Sequence, residues 1–174
     1  MEDREVIEML SNNLSSERGY RILISKYKEL LYWHIRRIVK NHEDADDILQ
    51  NTFIKVFRNI DNFKQESSLK TWLYRIATNE SITFLNNPKN RSFDSLDNIQ
   101  TDRPADEIAD YDNLNQKLVQ AIDTLPTKQK VVFIMRYYDE MSYQEIAAIT
   151  DTSVGALKTS FHLAVKKIES LLKD

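Results

Sequence analysis

The stretch SYQEIAAITDTSVGALKTSFHLAVKKIESLL, residues 142–172, contains two short helical patterns separated by a polar turn. Ser142 and Glu145 have the spacing of a capping box, which predicts that the first helix begins there. Thr152 or Ser153 can cap the second helix. A short helix, a tight turn and a second helix form the layout in which the second helix enters a DNA major groove. The stretch therefore predicts a C-terminal helix-turn-helix and indicates DNA as a partner.

The second of these helices has two different sides. One side is apolar, and the other carries cations and short hydrogen-bonding groups, which can reach phosphates and base edges. An ordinary solvated face on a C-terminal helix would carry the same groups. The capped helix and tight turn directly before it favour the DNA interpretation. The inward set is Val154, Leu157, Phe161, Ala164, Val165, Ile168 and Leu172, and the outward set is Lys158, Thr159, Ser160, His162, Lys166 and Lys167.

Composition predicts an all-α chain, and the length fits one or two small domains. In 174 residues there are only two glycines and three prolines, too few for the turns of an all-β protein. The absence of cysteine excludes disulfides and thiolate metal sites and suits a reducing cytoplasm. The net charge of −3 is low for a protein that binds DNA alone, because affinity for duplex DNA comes largely from cations. The basic end is the tail, where residues 153–174 carry four lysines against two acids.

The N-terminal half has the apolar spacing of four helices. We expect a short helix from Glu2 to about Leu14, a long one over Tyr20–Val39, a third from Asp44, and a fourth over Leu69–Leu85. The inward positions are expected to be Tyr20, Leu23, Ile24, Tyr27, Leu30, Leu31, Ile35 and Ile38 in the second helix, Ala45, Ile48, Leu49, Phe53, Val56, Phe57 and Ile60 in the third, and Leu69, Leu73, Ile76 and Ala77 in the fourth.

Residues 86–105 read NNPKNRSFDSLDNIQTDRPA, which is rich in Asn, Asp, Ser and Pro and has no helical period. This composition predicts a flexible linker between domains at 1–85 and 106–174. A helix is expected over Asp106–Asp123. The apolar run VVFIMRYY at 131–138 is ambiguous between a buried strand and a buried helix, and its helical neighbours favour a helix.

Two further surfaces indicate binding. Along the third helix, an aliphatic side chain outside the core stripe is surrounded by polar groups, as in a protein contact, although single exposed hydrophobic residues are common. Along the fourth helix, an aromatic ring, a cation and an amide lie on one side, the groups that hold an unpaired base. A half-buried core tryptophan beside a solvated arginine is the simpler alternative. The first set is Asp47, Gln50, Asn51, Ile54 and Arg58, and the second is Trp72, Arg75 and Asn79.

Enzymatic function is not indicated. The acids at 43–47 are better explained as a helix start than as a general acid and base. His34, His42 and His162 are scattered, so we expect neither a metal nor a cofactor. No apolar run approaches the roughly 20 residues of a membrane span, so we expect a cytoplasmic protein without membrane insertion.

Together these surfaces resemble the extracytoplasmic-function (ECF) sigma factors, small two-domain subunits of bacterial RNA polymerase. DADDILQNTFIKVFRNIDNF (44–63) is similar to the part of sigma region two that binds polymerase. FKQESSLKTWLYRIATNESITFL (63–85) is similar to the segment for minus-ten recognition and promoter melting. The stretch at 121–172 resembles sigma region four.

The resemblance implies roles for these residues. The face containing Ile54 would bind the clamp of core RNA polymerase, and the loop from Lys64 to Lys70 would capture a flipped minus-ten base together with Asn79. The last helix would read the minus-thirty-five element, and region four would also hold the polymerase flap. An anti-sigma factor is a further implied partner. The minus-ten set is Lys64, Ser67, Ser68, Lys70, Trp72, Arg75 and Asn79, and the minus-thirty-five set is Ser153, Lys158, Thr159, Ser160, His162 and Lys166.

The chain departs from the family pattern at the DNA-reading helix. Ser160 and Leu163 stand where the family commonly has arginine, and Ala156 stands where it has threonine. Two alternatives therefore remain. A self-sufficient helix-turn-helix regulator would bind operators without polymerase, and a sigma-like decoy would bind regulators without reading promoters.

Overall fold

The computed structural model describes residues 1–93 and 109–173. Within these ranges the regular structure is entirely helical, which confirms the predicted all-α fold. The described residues form two compact units, the first made mostly of Met1–Asn90 and the second mostly of the helices from Ala109 onward. Most of the predicted linker, residues 94–105, lies outside the described residues. In the part of the chain that the structure describes, no helix is long and apolar enough to span a bilayer.

The first unit contains α1 (Asp3–Leu10), α2 (Ser16–Val39), α3 (His42–Asn59) and α4 (Leu69–Asn86). Short 3₁₀ turns follow α3 at Ile60–Asn62 and α4 at Pro88–Phe93. The predicted first helix was four residues too long, because α1 ends at Leu10 and the chain turns through Ser11–Ser15.

Helix α2 is the centre of the first unit and packs against α1, α3 and α4. Leu23, Leu31, Ile35 and Ile38 are fully buried along it, as the apolar spacing predicted. Two predicted core positions were wrong. Ile24 and Leu30 are exposed, because the neighbouring helices cover only part of the surface of α2.

Helix α3 begins at a capped end, where the Asn41 side chain accepts hydrogen bonds from the backbone N–H groups of Glu43 and Asp44. Ala45, Ile48 and Val56 are buried as predicted. The prediction for Phe57 was wrong, because it lies 61% exposed near the end of the helix, beyond the edge of the core. The buried stripe instead includes Thr52, whose hydroxyl donates to the Ile48 carbonyl at 2.8 Å.

The second unit contains α5 (Ala109–Asp123), α6 (Thr127–Tyr137), α7 (Tyr143–Thr150) and α8 (Val154–Lys173). The apolar run at 131–138 is helical as predicted, since α6 covers it to Tyr137. Six successive residues of α6 are buried, so this part of the helix is surrounded by protein on all sides, and α6 packs mainly against α8. The buried run is Lys130, Val131, Val132, Phe133, Ile134 and Met135.

Candidate nucleic-acid and protein interfaces

Helices α7 and α8 form a helix-turn-helix with a cap at each helix start. The Ser142 hydroxyl accepts from the Glu145 N–H at 3.1 Å, and the Ser153 hydroxyl accepts from the Ala156 N–H at 3.2 Å. Between them Asp151 ends α7 in the left-handed conformation, with φ of 55°. Local capping and one left-handed residue thus set the turn that orients α8.

The outward face of α8 is largely as predicted. Lys158, Thr159, His162 and Lys166 are all exposed, whereas Ser160 is half-buried and therefore less accessible than expected. The Thr159 hydroxyl donates to the Gly155 carbonyl at 3.1 Å, which keeps the side chain close to its own helix. The exposed groups form one cationic and hydrogen-bonding surface.

Lys167 is exposed as predicted but is engaged within the second unit. Its ammonium donates to the carbonyl of Thr124 at 3.0 Å. The bond ties α8 to the turn that follows α5, which gives Lys167 a structural role.

Two residues beside this face, Arg136 and Tyr143, were not predicted from the sequence. The Arg136 guanidinium lies over the Tyr143 ring at 4.8 Å from its centroid, and the Lys158 ammonium lies over the same ring at 5.8 Å. Arg136 also donates to the Met141 carbonyl at 2.9 Å, which fixes the guanidinium at the turn before α7. No sequence spacing links these residues, because three different helices supply them.

The polar face of α3 is exposed along its whole length. Ile54 is 46% exposed, and Gln50 donates through Nε2 to the Asp46 carboxylate at 3.2 Å. Phe57 lies one turn after Ile54 and extends the apolar part of this face. We name this surface the α3 face; the predicted members Asp47, Gln50, Asn51, Ile54 and Arg58 are all exposed.

Tyr20 of α2 supports Phe57 at the end of the α3 face. The Tyr20 hydroxyl donates to the Phe57 carbonyl at 3.2 Å, and the two rings lie 4.6 Å apart. The carbonyl belongs to the last turn of α3, where carbonyls lack partners within the helix. Tyr20 therefore caps α3 and holds the aromatic ring at the surface.

The start of α3 is acidic, as expected for a helix N-terminus. Burial raises the pKa of the Asp44 carboxyl, and the negative charges of Asp47 and Glu43 raise it further. The clustering of Glu43, Asp44 and Asp47 places dense negative charge at the start of α3.

The start of α4 brings together the loop and helix residues predicted to hold a base. Ser68 caps α4 by accepting from the Thr71 N–H at 3.1 Å, so this hydroxyl has a structural role. Trp72 is half-buried and stacks on Phe63 at 4.8 Å, which leaves only its other side for a ligand. The simpler alternative, a half-buried core tryptophan, thus describes part of this ring. Among the other predicted members, Lys64, Lys70 and Asn79 are exposed, and Ser67 and Arg75 are half-buried.

His34 has a structural position. It is fully buried, its Nε2 is 2.8 Å from the Thr78 hydroxyl oxygen, and its ring lies 5.0 Å from that of Tyr74. No cluster of histidines and acids that could hold a metal ion occurs among the described residues.

Two family models match the chain, Sigma-70 region 2 over residues 23–91 and Sigma-70 region 4 over residues 115–168. The ECF sigma factor SigW of Bacillus subtilis is 30% identical, with 87% of this chain and 88% of SigW covered. The ECF sigma-E factor of Escherichia coli K12 is 28% identical, with 97% and 93% covered.

Two solved structures share the fold. One is CnrH in complex with the cytosolic domain of CnrY, with a TM-score of 0.73, 23% identity, and 98% of this chain and 97% of that chain covered. The other is the Bartonella quintana sigma factor RpoE in complex with the anti-sigma factor NepR, with a TM-score of 0.70, 23% identity, and 90% and 98% covered.

The matches to both sigma regions and to SigW, together with the exposed helix-turn-helix, show that the chain belongs to the ECF group of the sigma-70 family, the RNA polymerase subunits that direct transcription from specific promoters.

Proposed function

We propose that this sigma factor binds core polymerase through the α3 face, holds a flipped minus-ten base at α4, and reads the minus-thirty-five element with α8. Residues 1–85 act as region two, 86–105 as a linker and 106–174 as region four. The observation that carries the proposal is the exposure of Ile54 among polar side chains, while Val56, two positions on, is fully buried. An exposed isoleucine surrounded by polar side chains is typical of a surface that binds another protein.

The α3 face has the composition of a protein interface, with an apolar centre and a polar rim. Ile54 and Phe57 supply the apolar centre, and carboxylates, amides and Arg58 supply the rim. The partner is the clamp of the largest polymerase subunit. The acidic start of α3 favours basic side chains on that partner, because opposite potentials guide association.

At α4 a base would stack on the free side of Trp72 and bond to the exposed amide of Asn79. Flipping a base costs a few kcal/mol, which stacking and hydrogen bonds in the pocket offset. Lys64 and Lys70, both exposed, would neutralise phosphates on either side of that base. Ser68 contributes to base binding indirectly, because its hydroxyl caps α4 and thereby sets where the helix begins.

At α8, Lys158, Thr159, His162 and Lys166 face the minus-thirty-five duplex. Arg136 and Tyr143 extend this surface and compensate in part for the arginines that the helix lacks. Each cation that neutralises a phosphate makes binding more salt-dependent, so the surface can be tested one residue at a time.

The net charge of −3 suits a subunit that reads DNA only when bound to polymerase. A chain with weak intrinsic DNA affinity avoids being captured by the many non-specific sites of a genome. In this proposal the chain works in the cytoplasm and has no catalytic centre, and region four also holds the polymerase flap. An anti-sigma factor would restrain it, as NepR accompanies RpoE.

Run-off transcription with bacterial core polymerase tests this function. We expect transcripts that begin at a defined set of promoters and depend on the added chain. Tight, sequence-specific binding of the free chain to operator DNA at physiological salt would favour the self-sufficient regulator. Core binding without transcripts would favour the decoy.

A further inference from the structure

An ion pair joins the two helices of the first unit that carry the proposed interfaces. The Lys55 ammonium of α3 contacts the Glu80 carboxylate of α4. Lys55 follows Ile54 of the α3 face directly, and Glu80 follows Asn79 of the minus-ten set directly. The pair therefore lies at the seam between the proposed polymerase-binding and base-holding surfaces.

The two partners differ in their access to solvent. The Lys55 side chain is 54% exposed, whereas the Glu80 side chain is 19% exposed. Ion pairs with an exposed partner contribute little to stability, and α3 and α4 already pack against each other. Stability alone gives no reason for placing a carboxylate beside this particular lysine.

We propose that Lys55 is a further phosphate-binding residue for the separated non-template strand, and that Glu80 occupies it as a built-in competitor until the strand arrives. The inference rests on the proposed function of α4. A strand whose base reaches Asn79 carries its neighbouring phosphates along the adjacent turn, where Glu80 holds Lys55.

The chemistry allows one acceptor to replace the other. A carboxylate and a phosphate both accept hydrogen bonds from an ammonium group, so the lysine stays paired throughout the exchange. In the free chain the intramolecular carboxylate has the higher effective concentration and neutralises the cation. Once polymerase separates the strands beside α4, the local phosphate concentration rises and Lys55 changes partner.

The first test measures binding of a fluorescein-labelled, mixed-sequence single-stranded DNA to the full chain over a range of salt concentrations. Glu80→Gln keeps the shape of the side chain and removes its charge. We expect about fivefold tighter binding at low salt, and a slope of log affinity against log salt that steepens by about 0.7, the value for one phosphate contact on a single strand.

A matched control separates this local effect from the change in net charge. Glu17→Gln removes the same charge from the first unit, and its carboxylate pairs with Arg21 in an exposed contact at 2.6 Å. We expect that variant to change affinity less than twofold and to leave the slope unchanged. Equal effects of the two variants would overturn the inference.

The tighter DNA binding of the Glu80→Gln variant must also depend on Lys55. Adding Lys55→Gln to the Glu80→Gln variant should return the salt slope to that of the parent chain. A steepened slope that survives in the double variant would overturn the inference, because the new phosphate contact would then lie elsewhere. If Glu80→Gln does not fold, Lys55→Gln alone in the holoenzyme should reduce the salt slope of open-complex stability by about 0.7, and an unchanged slope would count against the inference.

Failure of the proposed function gives a different result. If the parent chain supports no promoter-specific run-off with core polymerase, the proposed function itself fails. If run-off is normal and Glu80→Gln binds DNA no more tightly than Glu17→Gln, only the role of Lys55 is excluded.

Discussion

Replacing Ile54 by aspartate tests the proposed polymerase contact at its apolar centre. Ile54 is 46% exposed, so about half of its side chain is available to a partner. Full burial of an isoleucine is worth about 1.5–3 kcal/mol, and burial of the exposed half therefore contributes about 1 kcal/mol. A polar group without a partner in the same place costs roughly another 1–3 kcal/mol. The sum of about 2–4 kcal/mol corresponds to a loss of at least thirtyfold in affinity.

The assay is fluorescence anisotropy of labelled full-length chain titrated with core polymerase. Because about half of the side chain is buried in the fold, the substitution should lower folding stability by about 1 kcal/mol, and circular dichroism should show unchanged helix content. Adding Gln50→Ala should weaken association further, since it removes a polar group from the rim of the same surface.

Leu30→Asp is the matched control. Leu30 is 51% exposed on α2, outside the α3 face, and receives the same substitution. We expect Leu30→Asp to bind core polymerase within twofold of the parent. Equal losses for Ile54→Asp and Leu30→Asp, or no loss for either, would refute the assignment of the α3 face.

Three further outcomes follow from the hydrogen bonds of the structure. Ser153→Ala removes the cap of α8 and should cost about 1 kcal/mol in chemical denaturation; an unchanged midpoint would contradict the cap. Thr78→Val leaves the buried His34 ring without its hydroxyl partner and should cost about 1–3 kcal/mol, whereas Thr78→Ser should retain most of the stability. Burial raises the pKa of the Asp3 carboxyl, but hydrogen bonds from Lys26 and Tyr27 outweigh the effect of burial, so the folded-state pKa is lowered. The stabilisation of the fold by the ionised Asp3 carboxylate is present above the unfolded pKa of about 4 and is lost as the pH falls through the lower folded-state pKa. Asp3→Asn should therefore flatten the acid limb of the stability curve, and an identical limb would contradict the contact.

The sequence predicted the helices because caps and apolar spacing agree over long segments. The run at 131–138 was ambiguous by itself, and the helical patterns on both sides correctly favoured a helix. The helix-turn-helix could also be predicted from the sequence, since Ser142 and Ser153 act as caps through hydrogen bonds to residues three positions away.

Burial at the edges of the core could not be read from spacing. Phe57, Ile24 and Leu30 continue an apolar stripe, but the neighbouring helices cover each of them only in part. Conversely, Thr52 and His34 are polar and buried, because each has a hydrogen-bond partner inside the first unit. The Thr52 bond lies within α3, whereas the pairing of His34 with Thr78 depends on α2 meeting α4, and periodicity within one helix carries no information about that.

The candidate surfaces divide in the same way. The members of the α3 face could be identified because a single helix carries them at spacings of three and four. The cation–ring group beside α8 could not be identified from the sequence, because it forms only when α6, α7 and α8 pack and bring together Arg136, Tyr143 and Lys158. The contact of Lys55 with Glu80 likewise joins two helices across 25 positions of sequence.

Mapping of transcript starts shows whether this chain determines where RNA polymerase begins transcription. Core polymerase would be incubated with genomic DNA, with and without the purified chain, and the 5′ ends of the transcripts sequenced. We expect a new set of start sites that share one upstream sequence pair and disappear with the Ile54→Asp variant. Identical start sites with and without the chain would contradict it.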